Sequence, residues 1–427
     1  MTPGDLLAAL RKSAENPAPA TNPTNRWAYD FAELPAYQPI RMQTAAARGV
    51  GLPSPYYRLA RPIGGVDLEI NGAGAVSFAS YDYLGLNADP RVRTAAAAAA
   101  EADGISPSAS RLAGGERAYH RGLEYALAGH YRTEDALALV SGHATNVSVL
   151  QALLGKGDLV ILDALAHNSL VMGAQAAGAA RLSMPHNDLD WLDRTLSRSR
   201  SKYRHVLIAV EGLYSMDGDC PDLARLVEIK SRHRAWLLVD EAHALGVVGA
   251  TGQGLAEAAG VATDAVEIWM GTLSKSLAAC GGYVAGSAAL IDYLKAAAPG
   301  FVYSVGLAAP IAAAAKTALE IMHAEPERVA RLQGNAAQLQ RGLAEAGFDT
   351  GLSEGHAVVP VIVRDSLRAV ALSAALLEKG VLAIPIIPPG VPEREARLRF
   401  FVTAQHSKAQ IDQAVDALLS AASEIEH

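Results

Sequence analysis

Residues 235–243 read AWLLVDEAH, and residues 267–275 read EIWMGTLSK. Each is a short apolar run that closes on chemistry, Asp240 in the first and Lys275 in the second. Working outward, the same form recurs in ALALV (136–140), LVILD (159–163) and HVLIAVEG (205–212). Helical stretches such as RVRTAAAAAAEADG separate these runs. Short strands that are apolar throughout are buried on both faces, and helices between them are crossovers. The pattern predicts an α/β fold with a mostly parallel sheet. Asp163, Glu211, Asp240, Ser274 and Lys275 end or follow these runs, and ligands of open α/β sheets bind outside the carboxyl ends of the strands. These residues are therefore expected to converge.

The chain has 427 residues, with 37 Lys and Arg against 44 Asp and Glu and a formal net charge of −7. No basic run is present, which argues against a nucleic-acid partner. The cysteines, Cys220 and Cys280, have no paired spacing, so neither zinc nor a disulfide framework is expected. No apolar run is long enough for a signal peptide or a membrane span, and a cytoplasmic protein is expected. Residues 15–25 (ENPAPATNPTN) read as a flexible stretch after a short helix. After Pro299 the pattern changes. Two helices (309–323 and 326–346) lead to strand-like VVPVIV (358–363), VLAIPII (381–387) and ARLRFFVTA (396–404), and a last helix covers 408–426. The expected division is an N-terminal segment (1–60), a large domain (61–298) and a smaller α+β domain (299–427).

Lys275 has small hydroxyl neighbours, Thr272, Ser274 and Ser276. Alone it reads first as a solvated loop lysine. Burial beside the right charges would make it an amine able to form a Schiff base, with Thr272 and Ser274 placed for a phosphate. Asp240 at a buried strand end needs a cation or a strong donor. A pyridinium nitrogen meets that need, and so does a helix start that the aspartate caps. His243 follows on the next turn. DEAH also suggests a helicase, but Gly155-Lys156-Gly157 is no phosphate-binding loop, and the ATPase reading falls. His167 follows another strand end and could lie against a planar ring, or be an ordinary core or surface histidine. Ser141-Gly142-His143 opens a helix whose N-terminus suits an anion. Arg397 and Arg399 share a strand face, and either could fork onto a carboxylate. Spacing does not separate them.

The ordered set resembles the α-oxoamine synthases, acyltransferases of fold type I that depend on pyridoxal 5′-phosphate (PLP). The blocks that carry the resemblance run from SYDYLGL (80–86) through SASRLAGGERAYHRGLE (108–124), SGHATN (141–146), HNSL (167–170), HND (186–188), EGLYSMDGD (211–219), DEAHALGVVGATGQG (240–254) and GTLSKSLAACGGY (271–283) to RLRFFVTAQH (397–406). The resemblance implies an aspartate-aminotransferase-like large domain with a seven-stranded sheet. It implies that Lys275 carries the cofactor, that Asp240 meets the ring nitrogen and that His167 stacks on the ring. Ser215 and His243 fall near the ring oxygen, Thr272 and Ser274 near the phosphate, Gly142 and His143 beside the cofactor, and Arg399 at the substrate carboxylate. His143 replaces the family's usual aromatic, Tyr81 is similar to serine palmitoyltransferases, and Val305 stands where a threonine is common.

The implied reaction is a decarboxylative condensation. A small amino acid (glycine, alanine or serine) meets an acyl thioester of CoA or a carrier protein and gives an α-amino ketone. No metal is implied, and a homodimer is. The alternatives are an aminotransferase or decarboxylase on the same fold, and a catalytically silent PLP-fold subunit.

Overall fold

A computed structural model describes residues 31–49 and 54–426. The expected short helix and flexible stretch before residue 26 lie outside the described residues. A helix, Gln38–Gly49, precedes three antiparallel strands, β1 (Ala60–Gly64), β2 (Asp67–Ile70) and β3 (Ala73–Ser77).

Seven strands form the central sheet: β4 (Asp135–Leu139), β5 (Leu159–Asp163), β6 (Ala180–Met184), β7 (Val206–Glu211), β8 (Trp236–Asp240), β9 (Ile268–Thr272) and β10 (Gly282–Gly286). Their order is β4-β10-β9-β8-β7-β5-β6, and only β10 runs antiparallel to its neighbours. The expected mostly parallel sheet is present. Its unbroken apolar runs follow from burial on both faces. Ile161, Ile208 and Leu237 face one core layer, while Val160, Leu207 and Leu238 face the other. Two strands lack a clear sequence signal. β6 is largely exposed at the sheet edge. β10 (GYVAG) begins and ends in glycine and has one β-branched residue, so it resembles a turn.

Helices start where short polar side chains cap them. Ser141 caps Gly142–Leu153, Asp188 caps Leu189–Ser199 and Asp222 caps Leu223–His233. The Ala-rich helix lies at Ala309–Ala324, close to its expected place, and packs against helix Pro90–Asp103.

The C-terminal part carries β11 (Val358–Ile362), β12 (Val381–Leu382), β13 (Ile384–Ile386) and β14 (Arg397–Phe401). The run VLAIPII, read as one strand, is two. β12 pairs with β3, and β13 pairs with β14 in the β11-β14-β13 sheet. The chain changes sheet at Ala383, whose carbonyl accepts from Ser373 Oγ at 2.7 Å. β1–β3 thereby join a sheet with β12 from the C-terminal part. No helix among the described residues is long and apolar enough to cross a membrane.

Candidate active site

The ends of β7, β8 and β9 and the turn after β5 border one cavity of about 500 Å3. Its wall contains the ten residues that the resemblance places at the cofactor or substrate: Gly142, His143, His167, Ser215, Asp240, His243, Thr272, Ser274, Lys275 and Arg399; Asp163, Ser276 and Arg397 are not on it.

Lys275 sits on a turn that leaves β9. Leu273 N donates to Gly281 O (2.9 Å), Ala279 N to Leu273 O (2.9 Å) and Ala278 N to Lys275 O (3.0 Å). Ser276 Oγ donates to Leu245 O at 2.6 Å and pins the turn to the neighbouring loop. Burial pulls the Lys275 amine down to about 8. Asp240 and Glu211 resist that shift, and Arg399 adds to it.

Asp240 ends β8 and is buried. One carboxylate oxygen accepts from Ala242 N (2.9 Å) and the other from Asn146 Nδ2 (2.7 Å). Asn146 also donates to Ser169 Oγ (2.9 Å), which lies 2.7 Å from His167 Nδ1. One relay of hydrogen bonds thus orients Asp240 and His167, on two strand ends. His243 is buried with Nδ1 2.6 Å from Tyr83 Oη and its ring stacked near Phe401. Burial, with Lys275 and Arg399 nearby, holds His243 neutral, far below the usual imidazole range.

Helix Gly142–Leu153 points its N-terminus at the cavity beside Thr272 and Ser274, whose hydroxyl oxygens are 2.7 Å apart. A Cβ on Gly142 would lie 2.8 Å from Thr272 Oγ1 and 3.1 Å from Thr272 Cβ. Only glycine lets the helix start approach that hydroxyl. Gly142→Ala is expected to impose about 1–3 kcal/mol of strain. At about 1.4 kcal/mol per factor of ten, relieving that strain by moving the helix start away from Thr272 weakens PLP binding by roughly 5- to 150-fold in a spectroscopic titration.

The two arginines separate in space. Arg397 is buried and paired with Asp217 at 2.7 Å, and it also donates to Met216 O. Arg399 borders the cavity, donates to Ser215 O (3.1 Å) and lies over the Phe401 ring at 4.4 Å. Its fork is not engaged by any carboxylate among the described residues.

Three polar wall residues join the site that the sequence reading gave no role: Asn146, Ser169 and Glu211. Asn146 stands one helical turn past Gly142 in the quoted SGHATN block, a spacing that places both on one helix face. Ser169 lies within HNSL. Glu211 ends β7 beside Asp240 in register. Its Oε2 accepts from Ser215 N (3.2 Å), and its Oε1 has no hydrogen-bond partner among the described residues. Burial, then the Asp240 charge, pushes its carboxyl up to about 8.

The site thus offers an amine whose pKa is lowered toward neutrality, a carboxylate at a strand end, a helix N-terminus with two hydroxyls, and a glycine that keeps the approach open. That donor set fits PLP.

The aminotransferase class I and II model matches residues 73–418. An 8-amino-7-oxononanoate synthase of Anaeromyxobacter sp. (strain K) is 43% identical over 364 residues, covering 84% of this chain and 90% of that protein. The chain belongs to the α-oxoamine synthases. Among solved structures, a serine palmitoyltransferase carrying PLP superposes on this α-oxoamine synthase with a TM-score of 0.89 at 29% identity, covering 93% of this chain and 99% of that one. The Sphingomonas wittichii serine palmitoyltransferase gives 0.88 at 30% identity, with the same coverage. This α-oxoamine synthase has the fold-type I architecture, and it is a PLP-dependent acyltransferase.

Proposed function

We propose that this enzyme condenses glycine, alanine or serine with an acyl thioester of CoA or a carrier protein, releasing CO2, free thiol and an α-amino ketone. The observation that carries the reading is the pairing of an amine held near neutrality, Lys275, with a guanidinium free to fork, Arg399, in one cavity.

PLP supplies an electron sink for the charge that develops at the substrate α-carbon. In this proposal Lys275 would hold the cofactor and supply Nζ as the base for the α-proton. Asp240 would meet the ring nitrogen with a charge that Asn146 and the Ala242 amide orient. His167 would lie against the ring. Ser215 and His243 would hold the ring oxygen, and Gly142, His143, Thr272 and Ser274 would hold the phosphate. Arg399 fixes the amino-acid carboxylate, which aligns the bond to be broken. Glu211 supports the Ser215 loop from beneath.

The expected setting is a cytoplasmic homodimer. Tyr57, Leu59, Leu112 and Tyr303 are each mostly exposed in the single chain, which supports a covering partner.

The lowered amine has a pH consequence. Capture of PLP by the apoprotein needs neutral Lys275, so its rate should rise with pH and level off above about 8. A lysine with an ordinary pKa of about 10.4 would keep accelerating well beyond that. Stopped-flow absorbance after mixing with PLP distinguishes the two.

The substrate reading is tested by presenting each of the three amino acids with a panel of CoA and carrier-protein thioesters. At least one pair should release thiol together with CO2. Thiol release that is independent of every amino acid would contradict the reading.

A further inference from the structure

His186 lies outside the cavity wall and takes no part in the chemistry above. It sits between two buried carboxylates. Its Nδ1 is 2.8 Å from Asp163 Oδ1, and its Nε2 is 2.8 Å from Asp219 Oδ2. A neutral imidazole donates from one nitrogen only. The other would then set a lone pair against a carboxylate, so this geometry requires the doubly donating imidazolium. Burial opposes that charge, but Asp163 and Asp219 outweigh it and raise the ring to about 10. The Tyr214 ring packs edge-on at 4.5 Å. Asn187 reinforces both contacts, with its amide on Asp163 Oδ2 and its side chain on Asp219 Oδ2, each at 2.9 Å.

The two carboxylates belong to different walls of the site. Asp163 ends β5 and shapes the turn that presents His167, accepting from Leu165 N at 2.8 Å. Asp219 closes the loop after β7, where its carbonyl accepts from Tyr214 N and Gly218 N donates to Tyr214 O, both at 2.9 Å. That loop supplies Ser215 O and Met216 Sδ to the Arg399 guanidinium. It also supplies Asp217 to Arg397 on the same strand.

We infer that His186 is a positioning residue: its imidazolium ties the loop that cradles Arg399 to the turn that carries His167, and so sets where the amino-acid carboxylate sits relative to the cofactor. The inference rests on Arg399 being the carboxylate anchor. A displacement of the order of 1 Å can cost about a hundredfold in rate, so a loosened loop should be felt first in amino-acid binding.

The test uses the holoenzyme with His186→Gln, Asp219→Ala, Asp219→Asn and Arg399→Lys. Asp219→Ala leaves the Asp163–His186 pair intact, which keeps the question answerable if His186→Gln folds poorly. Asp219→Asn keeps an oxygen that accepts from Nε2. The expected result is an amino-acid KM raised about tenfold or more in His186→Gln and Asp219→Ala, with Asp219→Asn within about threefold of wild type. The thioester KM and the absorbance of lysine-bound PLP should stay unchanged. An unchanged amino-acid KM in Asp219→Ala overturns the inference. So does a parallel change in both KM values and the cofactor absorbance, because that is the signature of a general structural defect. Arg399→Lys separates the two layers. If it raises the amino-acid KM while the clamp variants do not, only the clamp fails. If it leaves that KM unchanged, the anchor reading fails and the clamp with it.

Discussion

Replacing Lys275 by alanine is expected to lower turnover by roughly 10^3-fold or more, the range that follows loss of a positioned acid–base group. The effect should be chemical and not structural. The turn that carries Lys275 is held by backbone hydrogen bonds from Leu273, Ala278 and Ala279 and by Ser276 Oγ on Leu245. None of these uses the amine. Removing a half-buried amine that borders the cavity also relieves a desolvation cost, so the thermal midpoint should hold or rise. PLP should still bind through its ring and phosphate contacts, but the absorbance of its lysine-bound form should vanish. A variant that keeps that absorbance and its turnover would show that another amine holds the cofactor.

Asp240→Asn is the second large effect expected, a loss on the order of 10^2–10^3-fold in kcat. The substitution removes a charge and changes one acceptor into a donor, which would face Asn146 Nδ2 at the present 2.7 Å. Asn146 can answer by rotating its amide, because its Oδ1 has no partner among the described residues. Ser169 Oγ can then donate to it or to His167. The fold therefore tolerates the change, and the cost falls on chemistry. kcat should drop with the thermal midpoint within a few degrees of wild type. An Asp240→Asn enzyme with near-normal kcat would remove Asp240 from the electronic role given to it.

The sheet was legible because β5, β7, β8 and β9 are apolar on both faces, and burial from two sides leaves a continuous run in the sequence. Their polar ends marked the site for the same reason: Asp240 and Glu211 lie where the strands emerge. What escaped reading depends on partners far along the chain. Arg397 and Arg399 have the same type and the same strand face, and only Asp217, reached through the loop after β7, distinguishes them. Asn146 looks like any polar residue one turn into a helix until Asp240 is placed against it. The break at Ala383 follows from β3 and β14 competing for one run, a contest that local periodicity does not record. The HND block carries part of the family resemblance, but its histidine gains a role only when Asp163 and Asp219 close on it.

The most direct test of the central claim is a thiol-release assay on the purified holoenzyme, with an acyl thioester present and the amino acid varied. The proposed condensation predicts release of free thiol only when a suitable small amino acid is added, matched one-for-one by CO2 and abolished by Lys275→Ala. Conversion of the cofactor to its amino form by the amino acid, with no thiol released from any thioester, would contradict it and mark the enzyme as an aminotransferase.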